Sequence, residues 1–168
     1  EVFWLDPTKN NQKGPINLVE QSHYGYALLL DDSVQDMVEM PEASLNKRII
    51  HETFSLSKDT NEYSDFNVQT QYLGAEAEYV RKQFLNDGLE ELQKRYLDYY
   101  KDYYPGIQLS KAIQFEDVQD QNKVTITEGY KIKNLWMKRT DKDGFEANFY
   151  FDDFYSWLPK PDQEQRIS

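Results

Sequence analysis

Few residues of this chain have types and spacing that could support catalysis, and the clearest candidate is Asp6. It follows an aromatic, apolar run, Val2 to Leu5, and it precedes Pro7-Thr8. This pattern predicts a short buried strand that ends in a carboxylate. A carboxylate at such a place can cap the turn at Pro7-Thr8.

The other groups that nucleophilic catalysis needs are not evident. The 168 residues include no cysteine, so a thiol nucleophile, a disulfide and a thiolate metal site are excluded within this chain. The two histidines, His23 and His51, lack a second ligand at helical or hairpin spacing. We therefore expect no metal and no cofactor, and we expect Asp6 to be inactive in this chain.

Two acidic patterns could suggest a cation site. Asp141-x-Asp143-Gly144 has some likeness to a calcium loop, but the glycine and the distal glutamate of an EF-hand are not at the required positions. Glu116, Asp117 and Asp120 could bind a hard cation weakly. We interpret the first pattern as a hairpin turn and the second as a solvated loop.

Two further patterns concern charge and aromatic side chains. Glu128 falls on the apolar face of a predicted strand, and a buried charge normally has a partner, so we hypothesise that it pairs with Arg81. A group of tyrosines at helical spacing could form a stacking surface for sugars or peptides, or a core stripe with a polar rim: Tyr96, Tyr99, Tyr100, Tyr103 and Tyr104.

The composition narrows the classes of partner. Asp and Glu number 30 against 19 Lys and Arg, which gives a formal net charge of -11. Such a surface should repel nucleic acid, because phosphate binding depends on Lys and Arg. No apolar run approaches the roughly 20 residues of a membrane helix, so we expect no membrane insertion. The partner that we expect is another protein or protein domain.

The first quarter of the chain is predicted to be separate from the rest. Tyr24 to Leu30 fits a buried strand, and Met37 to Met40 could be its neighbour. Residues 41–46 have the composition of a linker. We therefore place residues 1–45 in an N-terminal unit and residues 46–168 in a second domain.

The second domain shows alternating strands on either side of a helical insert. Its fold class is predicted to be mainly β (α+β), an antiparallel β-sandwich with a two-helix insert at about residues 75–104. The predicted elements are a hairpin of residues 50–56 and 66–72, helices Ala75–Asn86 and Leu89–Tyr104, strands from Ile107 to Phe115, Val124 to Trp136 and Phe145 to Phe151, and a helical turn at Asp152–Leu158.

Several spaced motifs resemble the region that follows the catalytic domain of bacterial transglutaminase-like (papain-like thiol) proteins. They are Trp4-Leu5-Asp6-Pro7-Thr8, the Tyr24–Leu30 strand, Tyr72-x-Gly74-x-x-Ala77-x-x-x-Arg81, and the strand ending near Trp136 with the closing Leu158-Pro159…Arg166. The resemblance implies that Asp6 is the third member of a Cys-His-Asp triad in a longer parent protein. It also implies an extracytoplasmic location and a flanking β-rich domain that scaffolds or positions the catalytic domain.

Three functions remain open from the sequence. The first is a non-catalytic accessory domain of a transglutaminase-like protein, whose partner is the catalytic domain of the parent. The second is an enzyme in its own right, such as a glycoside hydrolase with paired carboxylates, although no pair is set in a recognisable motif. The third is a stand-alone carbohydrate- or peptide-binding β-sandwich that uses exposed aromatic side chains.

Overall fold

The fold is built on one antiparallel sheet and one long helix. The computed structural model describes residues 4, 6, 8–20, 24–29, 36–40 and 46–150. The elements within these residues are β1 (Tyr26–Ala27), β2 (Val38–Glu39), β3 (Lys47–Ser55), β4 (Ser64–Leu73), α1 (Ala75–Lys101), β5 (Ile107–Val118), a 3₁₀ turn (Gln119–Gln121), β6 (Lys123–Ile132), β7 (Met137–Lys138) and β8 (Phe145–Glu146).

The central sheet has four strands in the order β3-β4-β6-β5, and every neighbouring pair is antiparallel. The hairpin that the sequence predicts is confirmed as β3 and β4, with Phe54 opposite Phe66. Strand β6 lies on the other side of β4, and Tyr130 stands opposite Phe66. The period-2 alternation of these strands places one apolar face toward α1 and leaves the other face wetter.

The core lies between α1 and the inner face of the sheet. The residues of β4 and β6 that point toward the helix are almost fully buried, and two clusters result. One gathers around Phe66 and Tyr130, and the other around Val124 and Ile126. Ala77 and Leu92 of α1 are each 0% exposed, so both halves of the helix contribute to the packing.

The helix is kinked at Gly88. The sequence predicts two helices separated at Asp87-Gly88, and the structure has a break in helical backbone geometry at that point, so that α1 (Ala75–Lys101) consists of two helical stretches joined at the kink. Gly88 has φ 78° and ψ 170°, a conformation that glycine alone adopts readily. The kink gives the second half of α1 its own direction across the sheet.

Strand β5 is irregular where it faces Gly129. The pairing of β5 with β6 shifts between Leu109 and Lys111 and again between Lys111 and Gln114. A Cβ on Gly129 would lie 3.1 Å from the Ser110 hydroxyl and 3.2 Å from the Lys111 Cβ. Glycine therefore leaves room for the irregular strand. The bend predicted at Gly129 corresponds to this irregularity, which lies in the opposing strand.

The predicted fold class is confirmed at its coarser level, as an antiparallel, mainly β (α+β) chain. Within the described ranges a helix covers the inner face of the four-stranded sheet, and no second sheet packs against that face. The sandwich is therefore not confirmed. The turn at Asp141–Gly144 does connect a hairpin, and the Arg139 N–H donates to the Gly144 carbonyl at 3.0 Å, but β7 and β8 have two residues each.

The N-terminal strand pair differs in burial from the prediction. Strands β1 and β2 do pair, with Tyr26 opposite Glu39. The prediction of a buried strand is wrong, however, because Tyr24, Tyr26 and Leu28 are 79%, 56% and 59% exposed. Two short strands cannot cover their own apolar side chains without a third layer.

Some predicted features lie outside the described residues. They include His23, the predicted helical turn at Asp152–Leu158 and the closing segment up to Arg166. Among the residues that are described, the structure contains no helix with the length and apolar character needed to cross a membrane.

Candidate functional site

A cleft lies between the sheet and the second half of α1. The cleft has a volume of about 590 Å³ and an open mouth. The helix lies mainly over β5, β4 and β6 and touches β3 least, so the inner face of β3 stays accessible. We call this space the tyrosine cleft, after the seven tyrosines that line it.

Five of the seven tyrosines come from the end of α1 and the turn after it. They are the tyrosines that the sequence singled out, and the structure confirms that they share one surface: Tyr96, Tyr99, Tyr100, Tyr103 and Tyr104. Tyr72 from β4 and Tyr150 from the chain after β8 complete the set. Helical spacing brings residues three and four apart to the same side, which explains how one short segment supplies most of the wall.

The tyrosines form a connected aromatic surface that extends into the core. The Tyr100 ring lies edge-on to Phe66, with centroids 5.0 Å apart, and 5.3 Å from the Tyr130 ring. Tyr99 contacts Tyr103 with centroids at 5.3 Å, while remaining 48% exposed. The surface is therefore anchored at its base and open at its rim.

Glu128 lies at the base of the cleft and is 5% exposed. The Tyr130 hydroxyl, two residues along the same strand, donates a hydrogen bond to its carboxylate. Burial raises the pKa of Glu128 to about 7. The hydrogen bond from Tyr130 lowers this pKa, and the negative charge of Glu52 raises it further. A carboxyl group at the base of this cleft therefore changes its charge near neutral pH.

The hydroxyl groups of Tyr72 and Tyr96 meet across the cleft in a hydrogen bond that joins β4 to α1. Burial is the main reason that the pKa of each phenol is raised, and the negative charge of Glu128 raises both further. These phenols stay protonated at physiological pH, so they can both donate and accept hydrogen bonds.

Charged side chains stand at the edges of the cleft. Arg48 and Glu52 come from the inner face of β3, and Arg95 comes from α1. The Arg95 Nη2 donates to the Asp87 carboxylate at 2.5 Å, and both side chains are partly exposed. A mostly aromatic surface with a few placed polar groups is the usual lining of a ligand site.

The sequence did not identify several residues of the cleft. Arg48, Ile50 and Glu52 alternate along β3, and that alternation signals a shared face. What the sequence does not show is that the helix leaves this face open. Thr70 on β4 and Tyr150 near the end of the described chain also line the cleft, and their position depends on tertiary packing.

Arg81 forms a separate buried polar centre at the other end of the sheet. The hypothesis that it pairs with Glu128 is wrong. Its Nε and Nη2 donate to the Asp117 carboxylate at 3.0 and 2.8 Å, and its Nη1 donates to the Asn122 side chain at 3.2 Å. The antiparallel register carries Glu128 to the middle of the sheet, whereas Asp117 lies beside the first turns of α1.

The same polar centre holds the N-terminal segment, residues 8–20, against the domain. The Arg81 Nη1 donates to the Asn11 carbonyl at 3.0 Å. The Asn122 Nδ2 donates to the Leu18 carbonyl and to the Glu78 carboxylate, both at 2.9 Å. This segment is therefore bonded to α1 and to the turn before β6.

Asp6 lies beside this segment and bonds locally. Its carboxylate accepts hydrogen bonds from the Thr8 N–H at 2.9 Å and from the Thr8 hydroxyl at 2.6 Å. These bonds, that of the Thr8 hydroxyl first, lower the pKa of Asp6. The geometry is that of a side chain that caps a turn. Because these bonds are compatible with either role, the assignment of Asp6 as a triad acid stays a prediction.

Of the other residues considered from the sequence, one is exposed to solvent and one is bonded within the fold. His51 is exposed on β3, and Asp117 is bonded to Arg81. The described residues contain no group of three or more His, Cys, Asp or Glu side chains that could hold a metal ion.

Comparison with known proteins leaves the chain without an assigned family. Neither a protein-family model, a curated protein nor a solved structure matches it. The transglutaminase-like resemblance therefore remains a prediction, and the function has to be argued from the cleft.

Proposed function

We propose that this chain is a binding module that holds a carbohydrate in the tyrosine cleft. The observation that carries the proposal is the cleft itself, a space of about 590 Å³ lined by seven tyrosines together with arginine, glutamate and threonine side chains. Tyrosine rings offer flat apolar faces to the C–H groups of a sugar, and their hydroxyls can bond its polar groups. Arginine and glutamate can each bond two neighbouring hydroxyls.

The position of the cleft favours a carbohydrate over a peptide. Peptides that bind to sheets commonly add a strand at an edge and rely on main-chain hydrogen bonds. The tyrosine cleft lies above the face of the sheet, where side chains form its walls. Its ligand is therefore recognised by side chains, which suits a molecule rich in hydroxyl groups.

A second proposal concerns the larger protein that the resemblance implies. There the chain would be a non-catalytic accessory domain that holds a transglutaminase-like catalytic domain in position. The observation that favours it is the bonded N-terminal segment, because the triad-like Asp6 immediately precedes residues that Arg81 and Asn122 fix to the domain. Trypsin should cut at Lys9 and Lys13 faster in the Arg81→Ala variant than in the native chain, and equal rates would contradict the docking.

Binding to a panel of soluble oligosaccharides and a panel of peptides, measured by calorimetry, tests the main proposal. Tyr99→Ala should weaken binding of the best oligosaccharide about 2- to 12-fold, since a lost aromatic contact is worth about 0.5–1.5 kcal/mol. Tyr79→Ala is the matched control, because Tyr79 is an exposed tyrosine of the same helix outside the cleft.

Three results of the binding experiment would contradict the main proposal. They are binding confined to peptides, no binding to any oligosaccharide, and equal losses in the Tyr99→Ala and Tyr79→Ala variants. Chromatography of the oligosaccharides after incubation adds a check on activity. Shortened products would show that the chain is a hydrolase, not a binding module.

A further inference from the structure

The last described residues of the chain, Phe149 and Tyr150, pack beside the tyrosine cleft. The Phe149 ring meets the Phe54 ring of β3 edge-on, with centroids 4.8 Å apart. The Tyr150 ring lies 5.5 Å from the rings of both Tyr103 and Tyr104, and its backbone N–H donates to the Tyr104 hydroxyl at 3.3 Å. The chain is therefore fixed to the wall of the cleft at the point where residue 151 follows.

The eight residues after Tyr150 are rich in aromatic side chains. Their sequence is Phe-Asp-Asp-Phe-Tyr-Ser-Trp-Leu. In the helical turn that the sequence predicts at Asp152–Leu158, Phe154, Tyr155 and Leu158 are three or four positions apart and would share one side. The two aspartates and the serine would share the other side. This amphipathic pattern is typical of segments that bind in an apolar groove.

The attachment at Tyr150 favours this segment over any separate occupant of the cleft. Because the segment follows directly after a residue that lines the cleft, its binding there is intramolecular. A short tether gives an effective concentration in about the millimolar range, so modest contacts are enough to hold the segment. The cleft volume of about 590 Å³ offers room for several side chains, and the burial of apolar surface supplies the driving force.

The rings of the cleft can receive either aromatic side chains or sugar rings. The Tyr99 ring is 48% exposed at the rim, while the Tyr100 and Tyr104 rings reach the Phe66 ring in the core. Tyrosine rings pack against other aromatic rings in stacked or edge-to-face pairs. A segment bound here would therefore cover the same surface that a carbohydrate needs.

We propose, on the basis of the carbohydrate cleft argued above, that residues 151–158 bind in the tyrosine cleft and compete there with the carbohydrate. The aromatic side chains of this segment would pack against the tyrosine rings, and a bound carbohydrate would displace them. The affinity of the whole chain for its ligand is then the intrinsic affinity of the cleft reduced by the fraction of molecules in which the cleft is vacant.

The fluorescence of Trp157 tests the binding of the segment without any carbohydrate. The chain has three tryptophans, so the Trp4→Phe, Trp136→Phe protein reports on Trp157 alone. Acrylamide should quench this fluorescence less in the folded protein than in urea. Adding Tyr99→Ala should increase the quenching constant about twofold or more, because a ring that covers the segment is lost. Adding Tyr79→Ala, outside the cleft, should leave it unchanged.

The affinity for the best oligosaccharide tests the competition. The Phe154→Ala, Trp157→Ala protein should bind it about 3- to 10-fold more tightly than the native chain, because the cleft is vacant in more of the molecules. The Gln163→Ala, Gln165→Ala protein is the control and should bind as the native chain does. This comparison, made by calorimetry, retains Trp136 and so stands if the single-tryptophan protein folds poorly.

The outcomes separate this inference from the proposed function. Equal affinities of the native and Phe154→Ala, Trp157→Ala proteins would overturn the competition and leave the carbohydrate module standing. Equal quenching of Trp157 in folded and unfolded protein, or in the Tyr99→Ala and Tyr79→Ala proteins, would overturn binding of the segment in the cleft. A protected Trp157 in a chain that binds no oligosaccharide would support the bound segment and contradict the carbohydrate function.

Discussion

The backbone N–H of Ile113 donates a hydrogen bond to the Gln93 side-chain oxygen at 3.0 Å. Ile113 lies in the part of β5 where pairing with β6 is interrupted between Lys111 and Gln114. Its N–H therefore takes a partner from the helix, and Ile113 itself is 4% exposed. This bond fastens the second half of α1, which forms one wall of the tyrosine cleft, to the irregular strand.

Gln93→Ala should lower the free energy of unfolding by about 2 kcal/mol, because it leaves a buried N–H without a partner. Gln83→Ala is the matched control, since the Gln83 amide donates to the exposed Tyr79 hydroxyl on the surface of the same helix, and it should change stability by less than about 0.5 kcal/mol. Urea denaturation followed by circular dichroism measures both. Equal effects would show that the bond to Ile113 contributes nothing.

Arg81→Ala should lower the free energy of unfolding by about 3 kcal/mol. Arg81 is 4% exposed, and its removal would leave the Asp117 carboxylate without its cation in a largely buried place. Lys101→Ala removes a surface partner of Asp98 and should have little effect. Thermal unfolding compares the two. A melting temperature in Arg81→Ala equal to that of the native chain would contradict a structural role.

Glu128→Gln should make the protein more stable than the native chain at pH 8.5 but not at pH 5. The pKa of Glu128 is raised by burial from its ordinary 4.5 to about 7, so the folded chain holds the proton more tightly than the unfolded chain. Stability is then lost as pH rises from 4.5 through 7. The free energy of unfolding that the native chain loses across this pH interval is on the order of 3 kcal/mol.

Denaturation of the native and Glu128→Gln proteins at several pH values measures this difference. Glu116→Gln, a substitution of an exposed glutamate, should show no comparable change with pH over the same range. A constant difference between the native and Glu128→Gln proteins from pH 5 to pH 8.5 would mean that the carboxyl group does not titrate in this interval.

Gly88→Ala should destabilise the protein by about 2 kcal/mol, although a Cβ there would meet no neighbouring atom within 4 Å. The cost arises because φ is 78° and ψ is 170°, which disfavours every residue except glycine. Glu90→Ala, two residues further along the helix, is the control and should change stability little. A more stable Gly88→Ala protein would show that the helix straightens without loss of packing.

The parts of the fold that local patterns determine were predictable. The β3–β4 hairpin follows from period-2 alternation, and the position of the kink follows from Asp87-Gly88. The tyrosine surface likewise follows from helical spacing. Each of these features depends on residues close together in the chain, where side-chain periodicity reports directly on geometry.

Features that depend on strand order and helix placement were not predictable. Glu128 clearly lies on an apolar face, but its neighbour Glu52 is identified only by the register through Val68. Arg81 lies at a position where a charged side chain requires a partner, but the sequence contains several acidic residues that could pair with it. The hypothesis chose Glu128, whereas the structure pairs Arg81 with Asp117. The openness of the cleft depends on how far α1 lies from β3, which no local pattern encodes.

The hydrogen bond from Asn122 to the Leu18 carbonyl joins residues that are 104 positions apart. Closing so long a loop costs chain entropy that is recovered only after the intervening sheet and helix are in place. The N-terminal segment should therefore dock after the transition state for folding has passed. Substitutions in this segment should then accelerate unfolding while leaving the folding rate nearly unchanged, so the segment governs how long the native state persists.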